Sequence, residues 1–322
     1  MRDGWGRGRA GLELDRHAVA RLVRAAMPGA AVTAAAPLSG GLANTNLRLV
    51  LDGDPGQALL RIYQRDPAQA EKEATLHRLV AGRVPAPRFL APPATDAESG
   101  LRFAILEWMP GEPLERVLPG LHPAGLRVLG RSVGRTLAAV HAFAFPAAGF
   151  LDGQLRVVHP VAGGRDGLLG FLRRCLVDGI GGDRLGPADT AAVLAFAGPA
   201  GDRLAAWEAR PCLVHADFNG SNLLAAGDTV TAVLDWEFAF AGWPAFDFGN
   251  LLRPPAGRLE GFADAAADGY RAAGGALPDD WRRLAMIADL YAWADFLARP
   301  DATDGLVRDA VAMVRSIVAE AA

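Results

Sequence analysis

The sequence predicts an α+β fold in two lobes, a small β-rich N-lobe at residues 12–109 and a larger, mainly helical C-lobe at residues 110–322. The chain has 322 residues, and 51% of them are apolar, so it exceeds the usual size of a single hydrophobic core. Strand-like runs concentrate before Trp108, whereas apolar spacing near 3.6 residues dominates afterwards. The Pro- and Gly-rich segment 109–113 separates the two patterns and predicts the boundary between the lobes.

The first half of the N-lobe combines a helix with a hairpin. Asp15 can cap a helix that runs to about Met27. Thr45–Leu51 alternates between apolar and polar residues, and Ala58–Tyr63 is compactly apolar around one arginine. Because the turn-forming residues 52–56 lie between these runs, we predict an antiparallel hairpin.

The second half of the N-lobe adds a helix and another strand. Asp66 is expected at the N-cap of this helix, with Pro67 at its first position and Gly82 past its end. The Pro-rich segment 84–93 then leads to a predicted strand at Leu101–Trp108. Residues 1–11, which are rich in Gly and Arg, are expected to form a disordered tail.

The C-lobe is predicted to be helical around a small β-rich island. Six segments with helical apolar spacing are Leu121–Ala144, Leu168–Val177, Pro187–Trp207, Arg258–Ala273, Trp281–Leu297 and Gly305–Ala321. The island comprises the short strand-like runs Leu213–Val214, Asn222–Leu224 and Val230–Leu234. These runs surround the segment that carries most of the polar motifs.

Composition limits the function classes. A net charge of −3 and a pI near 6.1 give no basic surface for nucleic acid, which is therefore not expected as a partner. No stretch approaches the roughly 18 apolar residues of a membrane span. The two cysteines, Cys175 and Cys212, lack the close spacing of a zinc or redox site, so we expect a cytoplasmic location without membrane contact.

The strongest chemical motif begins at His215. Asp217 follows two residues later and Asn222 five residues after that, which is the His-x-Asp-x-x-x-x-Asn spacing of a kinase catalytic loop. Phosphoryl transfer needs a carboxylate to orient the acceptor hydroxyl and take its proton, and we assign this role to Asp217. His215 is interpreted as a structural brace of the turn.

A second carboxylate, Asp235, ends the apolar strand Val230–Leu234, eighteen residues after Asp217. Mg²⁺ prefers one or two carboxylates together with substrate oxygens, so Asn222 and Asp235 are the predicted metal ligands. Glu237, in the same Asp-Trp-Glu segment, is interpreted either as an acceptor or metal contact or as a loop anchor. The expected cofactors are therefore ATP, with GTP as an alternative, and Mg²⁺.

Phosphate contacts are expected from the N-lobe. The segment Leu38–Asn46 contains Ser39, Gly40 and Gly41, and its glycines permit a tight turn whose backbone N–H groups approach phosphates. Arg61 lies in an apolar strand, where a kinase places its phosphate-binding lysine. Lys72, the chain's only lysine, is on the following helix, so Arg61 is assigned the role and Glu73 is its expected partner.

Together these motifs resemble the aminoglycoside phosphotransferase and choline kinase-like family, whose two-lobed fold is related to protein kinases. The resemblance covers roughly residues 32–297 and is most specific at residues 215–253. It implies that Gly40 to Asn44 covers the phosphates and that the backbone of Glu107, Trp108 and Met109 receives adenine. It also implies that Asp247 braces the catalytic loop.

The resemblance implies an ATP- and Mg²⁺-dependent kinase that acts on a hydroxyl of a small molecule. An aminoglycoside or another antibiotic is the expected acceptor, and choline, homoserine or a sugar in a metabolic role are the alternatives. A protein kinase is disfavoured because only eleven residues separate Asp235 from Asp247, too few for a peptide-binding activation segment. A nucleotide-binding pseudokinase is the further alternative, against which Asp217, Asn222 and Asp235 argue together.

Overall fold

A computed structural model describes residues 12–38, 44–208 and 210–321 of the protein. Its N-terminal part is built on a five-stranded antiparallel sheet in the order β1-β2-β3-β5-β4. The strands are β1 Ala31–Pro37, β2 Asn44–Asp52, β3 Gln57–Tyr63, β4 Phe89–Thr95 and β5 Arg102–Glu107. Helix α1, Arg16–Ala26, packs its buried Val19, Leu22 and Val23 against this sheet, and α2, Gln69–Val80, follows β3.

The C-terminal part is dominated by helices around one large apolar cluster. Two long helices, α4 and α9, pack closely because Gly134 of α4 admits the backbone of Ala266, which a Cβ at that position would overlap. The helices are α3 Leu114–Val117, α4 Pro123–His141, α5 Gly164–Arg173, α6 Gly181–Leu185, α7 Pro187–Ala205, α8 Ala245–Leu251, α9 Phe262–Ala272, α10 Trp281–Ala298 and α11 Asp304–Ala321.

Two small sheets hold the loops that carry the polar motifs. One has the order β11-β10-β6 and the other the order β8-β7-β12-β9. Their strands are β6 Glu112–Pro113, β7 Gly149–Leu151, β8 Val157–Pro160, β9 Cys212–Val214, β10 Leu223–Ala226, β11 Thr229–Val233 and β12 Phe240–Gly242. The segment 215–222 therefore leaves β9 and enters β10, while Asp235 follows β11 after the single residue Leu234.

The connection between the two parts requires a glycine. Gly111 has φ +120°, and a Cβ there would lie 2.6 Å from Thr231 Oγ1 and 2.9 Å from the Ala225 carbonyl oxygen. Thr231 Oγ1 also donates to the Pro110 carbonyl at 2.6 Å. These contacts fix the linker against the β10-β11 hairpin beside the cleft between the two parts.

The predicted α+β class with a sheet-rich N-terminal region is confirmed. The cap at Asp15 is confirmed too, since its carboxylate accepts from the Ala18 N–H at 2.7 Å. The β2-β3 hairpin and the six C-lobe helices form where they were expected, within a few residues at their ends. Within the described residues, no helix is both long and apolar enough to cross a membrane.

Two local predictions were wrong. The second helix begins at Gln69, because Asp66 closes a turn with the Ala68 N–H at 3.0 Å and the Gln69 side chain at 2.9 Å. The predicted N-cap at Asp66 is therefore part of a turn that precedes the helix. The Pro-rich segment is not only a connection, since its end forms part of the edge strand β4. An edge strand has one side without a neighbouring strand, so its prolines can face that side without breaking a hydrogen bond of the sheet. The predicted disordered tail, residues 1–11, lies outside the described residues.

Candidate active site

The centre of the cleft is a buried arginine held by carboxylates from two lobes. Arg61 of β3 is only 4% exposed, and its guanidinium forms a close ion pair with Glu73 of α2. Its Nη1 also lies 3.2 Å from Asp235 Oδ1, and its Nε donates to Asn46 Oδ1 at 3.2 Å. Sequence reasoning expected the Arg61–Glu73 pair, and the structure brings the two side chains together.

Glu73 is completely buried and has two further neighbours that the sequence analysis missed. The Tyr63 hydroxyl donates to Glu73 Oε2 at 2.5 Å, and His77 Nε2 lies 4.0 Å from Glu73 Oε1. Burial acts to raise the pKa of the Glu73 carboxyl, but the attraction of Arg61 and His77 and the hydrogen bonds from Tyr63 and Arg61 together outweigh it and lower the pKa below its ordinary value. Glu73 therefore stays ionised and keeps the guanidinium in place.

Two side-chain amides within the predicted catalytic loop hold the Asp217 carboxylate. Asn222 Nδ2 donates to Asp217 Oδ2 at 2.7 Å and to the Asp217 carbonyl at 3.0 Å. Asn219 Nδ2 donates to Asp217 Oδ1 at 2.5 Å. Because both hydrogens of the Asn222 amide point at Asp217, its carbonyl oxygen faces elsewhere and can accept or coordinate.

A backbone hydrogen bond sets Asp235 beside this loop. The Leu234 backbone N–H donates to the backbone carbonyl oxygen of Asn222 at 2.8 Å. Asp235 itself adopts the left-handed conformation, with φ +65°, which is unusual for a residue with a Cβ. The two predicted metal ligands, Asn222 and Asp235, are thereby brought together.

The turn at His215 is held from behind by Asp247 of α8. Asp247 accepts from the His215 N–H at 2.8 Å, from the Ala216 N–H at 2.7 Å and from His141 Nε2 at 3.1 Å. The His215 ring donates from Nε2 to the Leu234 carbonyl at 2.9 Å, and its Nδ1 accepts the Asp217 N–H at 3.3 Å. Both ring nitrogens of His215 are thus engaged by the backbone. His141, to which the sequence analysis assigned no role, is a further partner of Asp247.

The segment after Asp235 is tied to the N-lobe by two side chains. Asn44 Nδ2 donates to Glu237 Oε2 at 3.1 Å. Lys72 is 7% exposed, and its Nζ donates to the Glu237 carbonyl at 2.5 Å and to the Ala239 carbonyl at 3.3 Å. Lys72 therefore does not point at the cleft as a phosphate ligand but joins α2 to the loop that follows Asp235.

The electrostatics of the site favour a bound cation. Burial raises the pKa of the Glu237 carboxyl to about 8, and the neighbouring Asp235 contributes to the rise. Burial also raises the pKa of Asp235, although the Arg61 guanidinium opposes this. Four acidic side chains, counting Asp217 and Glu73, lie around the Arg61 guanidinium, and a cation bound among them would stabilise the ionised forms of Asp235 and Glu237.

The residues present fit a magnesium ion with few protein ligands. Asp235 Oδ1 is buried, and in the described part of the chain it has the ion-pair contact with Arg61 Nη1 but no hydrogen bond. Within the same residues, no group of three or more His, Cys, Asp or Glu side chains could enclose a metal. An Asn222–Asp235 pair completed by phosphate oxygens and water is the arrangement that Mg²⁺ commonly adopts with nucleotides.

The predicted adenine-binding segment borders the same cleft. The Glu107 carboxylate pairs with Arg88 at 2.9 Å, and the Arg48 guanidinium lies 4.7 Å from the centre of the Trp108 ring. Trp108 and Met109 both line the cleft. The predicted phosphate-loop residues Ser39, Gly40 and Gly41 lie outside the described residues, whereas Asn44 begins β2 and is buried.

A continuous cleft of about 1760 Å³ connects these groups. Trp108 and Met109 border one end, Arg61, Asp217 and Asp235 its middle, and a set of aromatic side chains its other end. The structure therefore brings every described site residue of the sequence analysis to this cleft or to the side chains that border it. On the C-lobe helices, Asp289 is paired with Arg253 and Asp264 with Arg282.

Comparisons with known proteins agree with the resemblance found in the sequence. The family model of the phosphotransferase enzyme family matches residues 34–287. Among curated proteins, no sequence matches the chain significantly.

Solved structures share the fold. A thermostable mutant of aminoglycoside phosphotransferase APH(4)-Ia, solved with AMP-PNP and hygromycin B, is 20% identical with a TM-score of 0.68, covering 94% of this chain and 99% of that one. Macrolide 2'-phosphotransferase MphH from Brachybacterium faecium is 20% identical with a TM-score of 0.64, covering 92% and 97%. The complex of gentamicin with APH(2")-IIa is 17% identical with a TM-score of 0.66, covering 94% and 97%. At these identities the similarity shows a common fold.

Proposed function

Because the chain belongs to the phosphotransferase enzyme family, we propose that it transfers the γ-phosphoryl group of ATP to a hydroxyl of a small molecule in the presence of Mg²⁺. The observation that carries this proposal is the convergence of Asp217, Asn222, Asp235 and the Arg61–Glu73 pair on one cleft. Phosphoryl transfer depends mainly on positioning and charge stabilisation, and these groups supply both.

Asp217 receives the acceptor. Its two carboxylate oxygens are oriented by Asn219 and Asn222. The acceptor hydroxyl donates to Asp217 and transfers its proton there as its oxygen attacks the γ-phosphorus. The bond between this phosphorus and the bridging oxygen of ATP breaks, and ADP leaves.

The N-lobe residues position the nucleotide. Arg61, fixed by Glu73, contacts the phosphates as a planar donor that is always charged. Asn44 and, as the sequence predicts, the backbone of Ser39, Gly40 and Gly41 are the further proposed phosphate contacts. The backbone of the segment 107–109 accepts hydrogen bonds from adenine and donates hydrogen bonds to it. GTP, the alternative phosphoryl donor, would place its base against the same backbone groups.

Asn222 and Asp235 would hold Mg²⁺ through the Asn222 carbonyl oxygen and the buried Asp235 Oδ1. When bound, the ion neutralises charge on the phosphate oxygens. His215 and Asp247 are positioning residues that keep Asp217 in place through the backbone of the loop. Glu237, which Asn44 orients, borders the same space and is placed to contact the acceptor or the metal.

The family is the basis on which we propose an acceptor class and a cellular role. An aminoglycoside or another antibiotic is the proposed acceptor class, and the solved neighbours that bind hygromycin B or gentamicin support including these compounds. A metabolic alcohol such as choline, homoserine or a sugar is the second candidate. ATP supply and the two free cysteines, Cys175 and Cys212, support a cytoplasmic location.

The test is ADP release from ATP, with Mg²⁺, across a panel of antibiotics and small metabolic alcohols. Asp217→Ala is expected to lower kcat by about 10²- to 10⁴-fold, the usual contribution of a general base, while nucleotide affinity stays within about threefold. Asp228→Ala is the matched control, because Asp228 is an exposed aspartate in the turn between β10 and β11. Acceptor-dependent turnover that survives Asp217→Ala would sink the catalytic assignment.

The pseudokinase alternative has its own signature. Mg²⁺-dependent stabilisation by ATP without turnover on any alcohol of the panel would favour it. Under that outcome Asp235→Ala would abolish the stabilisation, whereas Asp217→Ala would leave it unchanged.

A further inference from the structure

One end of the cleft is bounded by aromatic rings in mutual contact. Successive ring centres along this set are separated by 5.7, 5.3, 5.0 and 5.0 Å, which is the usual range for packed aromatic pairs. All of its members line the cleft. We call this set the aromatic wall, and in order of contact it consists of Phe150, Phe240, Phe246, Tyr291 and Phe171.

The aromatic wall lies next to the catalytic loop. Phe240 of β12 pairs with Val214 of β9, the residue before His215. Phe246 packs in the same apolar cluster as Phe240 and Ala216, and Ala216 directly precedes Asp217. A molecule whose hydroxyl faces Asp217 therefore has this apolar surface beside it.

Charges at this end of the cleft are largely compensated. Asp289 forms a buried pair with Arg253 at 2.6 Å, and Asp295 pairs with Arg299 at 2.6 Å. A ligand with several ammonium groups needs several carboxylates that are not already neutralised. Besides these pairs and the acidic groups around Arg61, the described lining contains Glu115, Asp166 and Asp301, while the Arg174 guanidinium lies over Phe171, so the surface beside the aromatic wall does not suit a polycation.

Two buried polar atoms at this end lack hydrogen bonds. The Tyr291 hydroxyl and Asn250 Oδ1 have no partner within the described residues, although the two side chains are only 8% and 4% exposed. Both residues line the cleft. Because an unpaired buried polar group is costly, a ligand that supplies hydroxyl or amide groups here gains affinity and a fixed orientation.

Resting on the proposed phosphotransferase function, we propose that the acceptor is a bulky alcohol with an aromatic or aliphatic body and at most one positive charge. Its body lies on the aromatic wall, its reactive hydroxyl faces Asp217, and its other polar groups reach the Tyr291 hydroxyl and Asn250 Oδ1. This selects among the acceptors named above, in favour of weakly charged antibiotics and against polyamine ones.

Calorimetry on the full chain with ADP and Mg²⁺ tests this without requiring the physiological acceptor. The probes are the methyl, phenyl and naphthyl β-glucosides, which share one sugar, and hygromycin B as the polycation. The affinity is expected to rise about tenfold or more from the methyl to the naphthyl compound, because the added apolar area stacks on the aromatic wall. Hygromycin B binding tighter than the naphthyl compound, or an affinity independent of the aglycone, overturns the proposal.

Phe150→Ala localises the effect. Phe150 is 55% exposed, so its removal has little effect on folding, which thermal unfolding verifies. We expect this variant to weaken naphthyl glucoside binding about tenfold and to leave methyl glucoside and ATP affinities unchanged. Val177→Ala, at a 58% exposed position outside the lining of the cleft, is the control. Unchanged naphthyl glucoside affinity in Phe150→Ala contradicts the proposal.

A separate readout distinguishes this inference from the proposed function. If hygromycin B supports Asp217-dependent ADP release more efficiently than weakly charged alcohols do, the phosphotransferase function stands and the acceptor class is wrong. If the chain shows no Mg²⁺-dependent ATP binding while the glucosides bind as expected, the apolar site stands and the phosphotransferase function fails.

Discussion

Replacing Asp247 by asparagine tests how the catalytic loop is held. The Asp247 carboxylate receives three hydrogens, from the N–H groups of His215 and Ala216 and from His141 Nε2. Asparagine keeps one acceptor oxygen and turns an NH₂ group towards donors. In Asp247→Asn at least one of the two backbone N–H groups therefore loses its acceptor and faces another donor.

The magnitude follows from these bonds. An orphaned buried N–H costs about 1–3 kcal/mol, and each remaining bond loses its charge assistance, so we expect a loss of roughly 3 kcal/mol in the free energy of unfolding. Ala216 has φ +64°, a conformation that costs an alanine about 1 kcal/mol or more and that the Asp247 bond helps to maintain. When the loop relaxes, Asp217 moves with it, and a displacement of about 1 Å lowers kcat by roughly 100-fold.

The assay combines urea denaturation with ADP release, using Asp228→Asn as the same change at an exposed position of the C-lobe. Nucleotide affinity should change little, since Asp247 lies behind the catalytic loop. An Asp247→Asn protein with wild-type stability and wild-type kcat would refute the role of Asp247 in holding the catalytic loop. It would also refute the interpretation that Asp247 maintains the positive φ of Ala216.

Two further predictions concern helix α2. Lys72→Met removes the bond to the Glu237 carbonyl, so we expect the Mg²⁺ concentration for half-maximal activity to rise about tenfold. Arg78→Met, on the exposed face of α2, should leave it unchanged, and equal Mg²⁺ titrations for both variants would contradict the role of Lys72. Glu73→Gln should lower the free energy of unfolding at pH 7 by about 3 kcal/mol, because the buried Arg61 guanidinium loses its closest counterion and keeps only Asp235. Since the folded-state pKa of Glu73 is depressed, its contribution is present above the ordinary value of 4.5 and lost as pH falls, so the difference from wild type should shrink in denaturation curves below about pH 4.

The sequence predicted what depends on neighbours along the chain. The cap at Asp15, the β2-β3 hairpin and the order of His215, Asp217, Asn222 and Asp235 all follow from short-range spacing and turn chemistry. The missed elements are short or atypical. Helix α8 has seven residues, and β4 contains Pro92 and Pro93, which an edge strand tolerates and a central strand does not.

The parts of the site that sequence did not reveal depend on distant contacts. Lys72 meets the Glu237 carbonyl across 165 positions, and His141 meets Asp247 across 106. No local pattern marks either pair, because each exists only once the lobes and helices have packed. The aromatic wall is a similar case, since five scattered rings carry no spacing signal and aromatic residues are more often core. The contact of Tyr63 with Glu73 had a weak signal in the sequence, because Tyr63 lies two residues after Arg61 and therefore on the same face of the strand.

Lys72 also gives the protein a chemical reporter. It is the chain's only lysine, and its amine is enclosed between α2 and the loop after Asp235. An acylating reagent that modifies lysine can therefore reach this amine only while α2 and the loop are apart. The rate of labelling at position 72, followed by peptide mapping, then measures how often α2 and this loop separate. A saturating nucleotide that closes the lobes should slow the labelling.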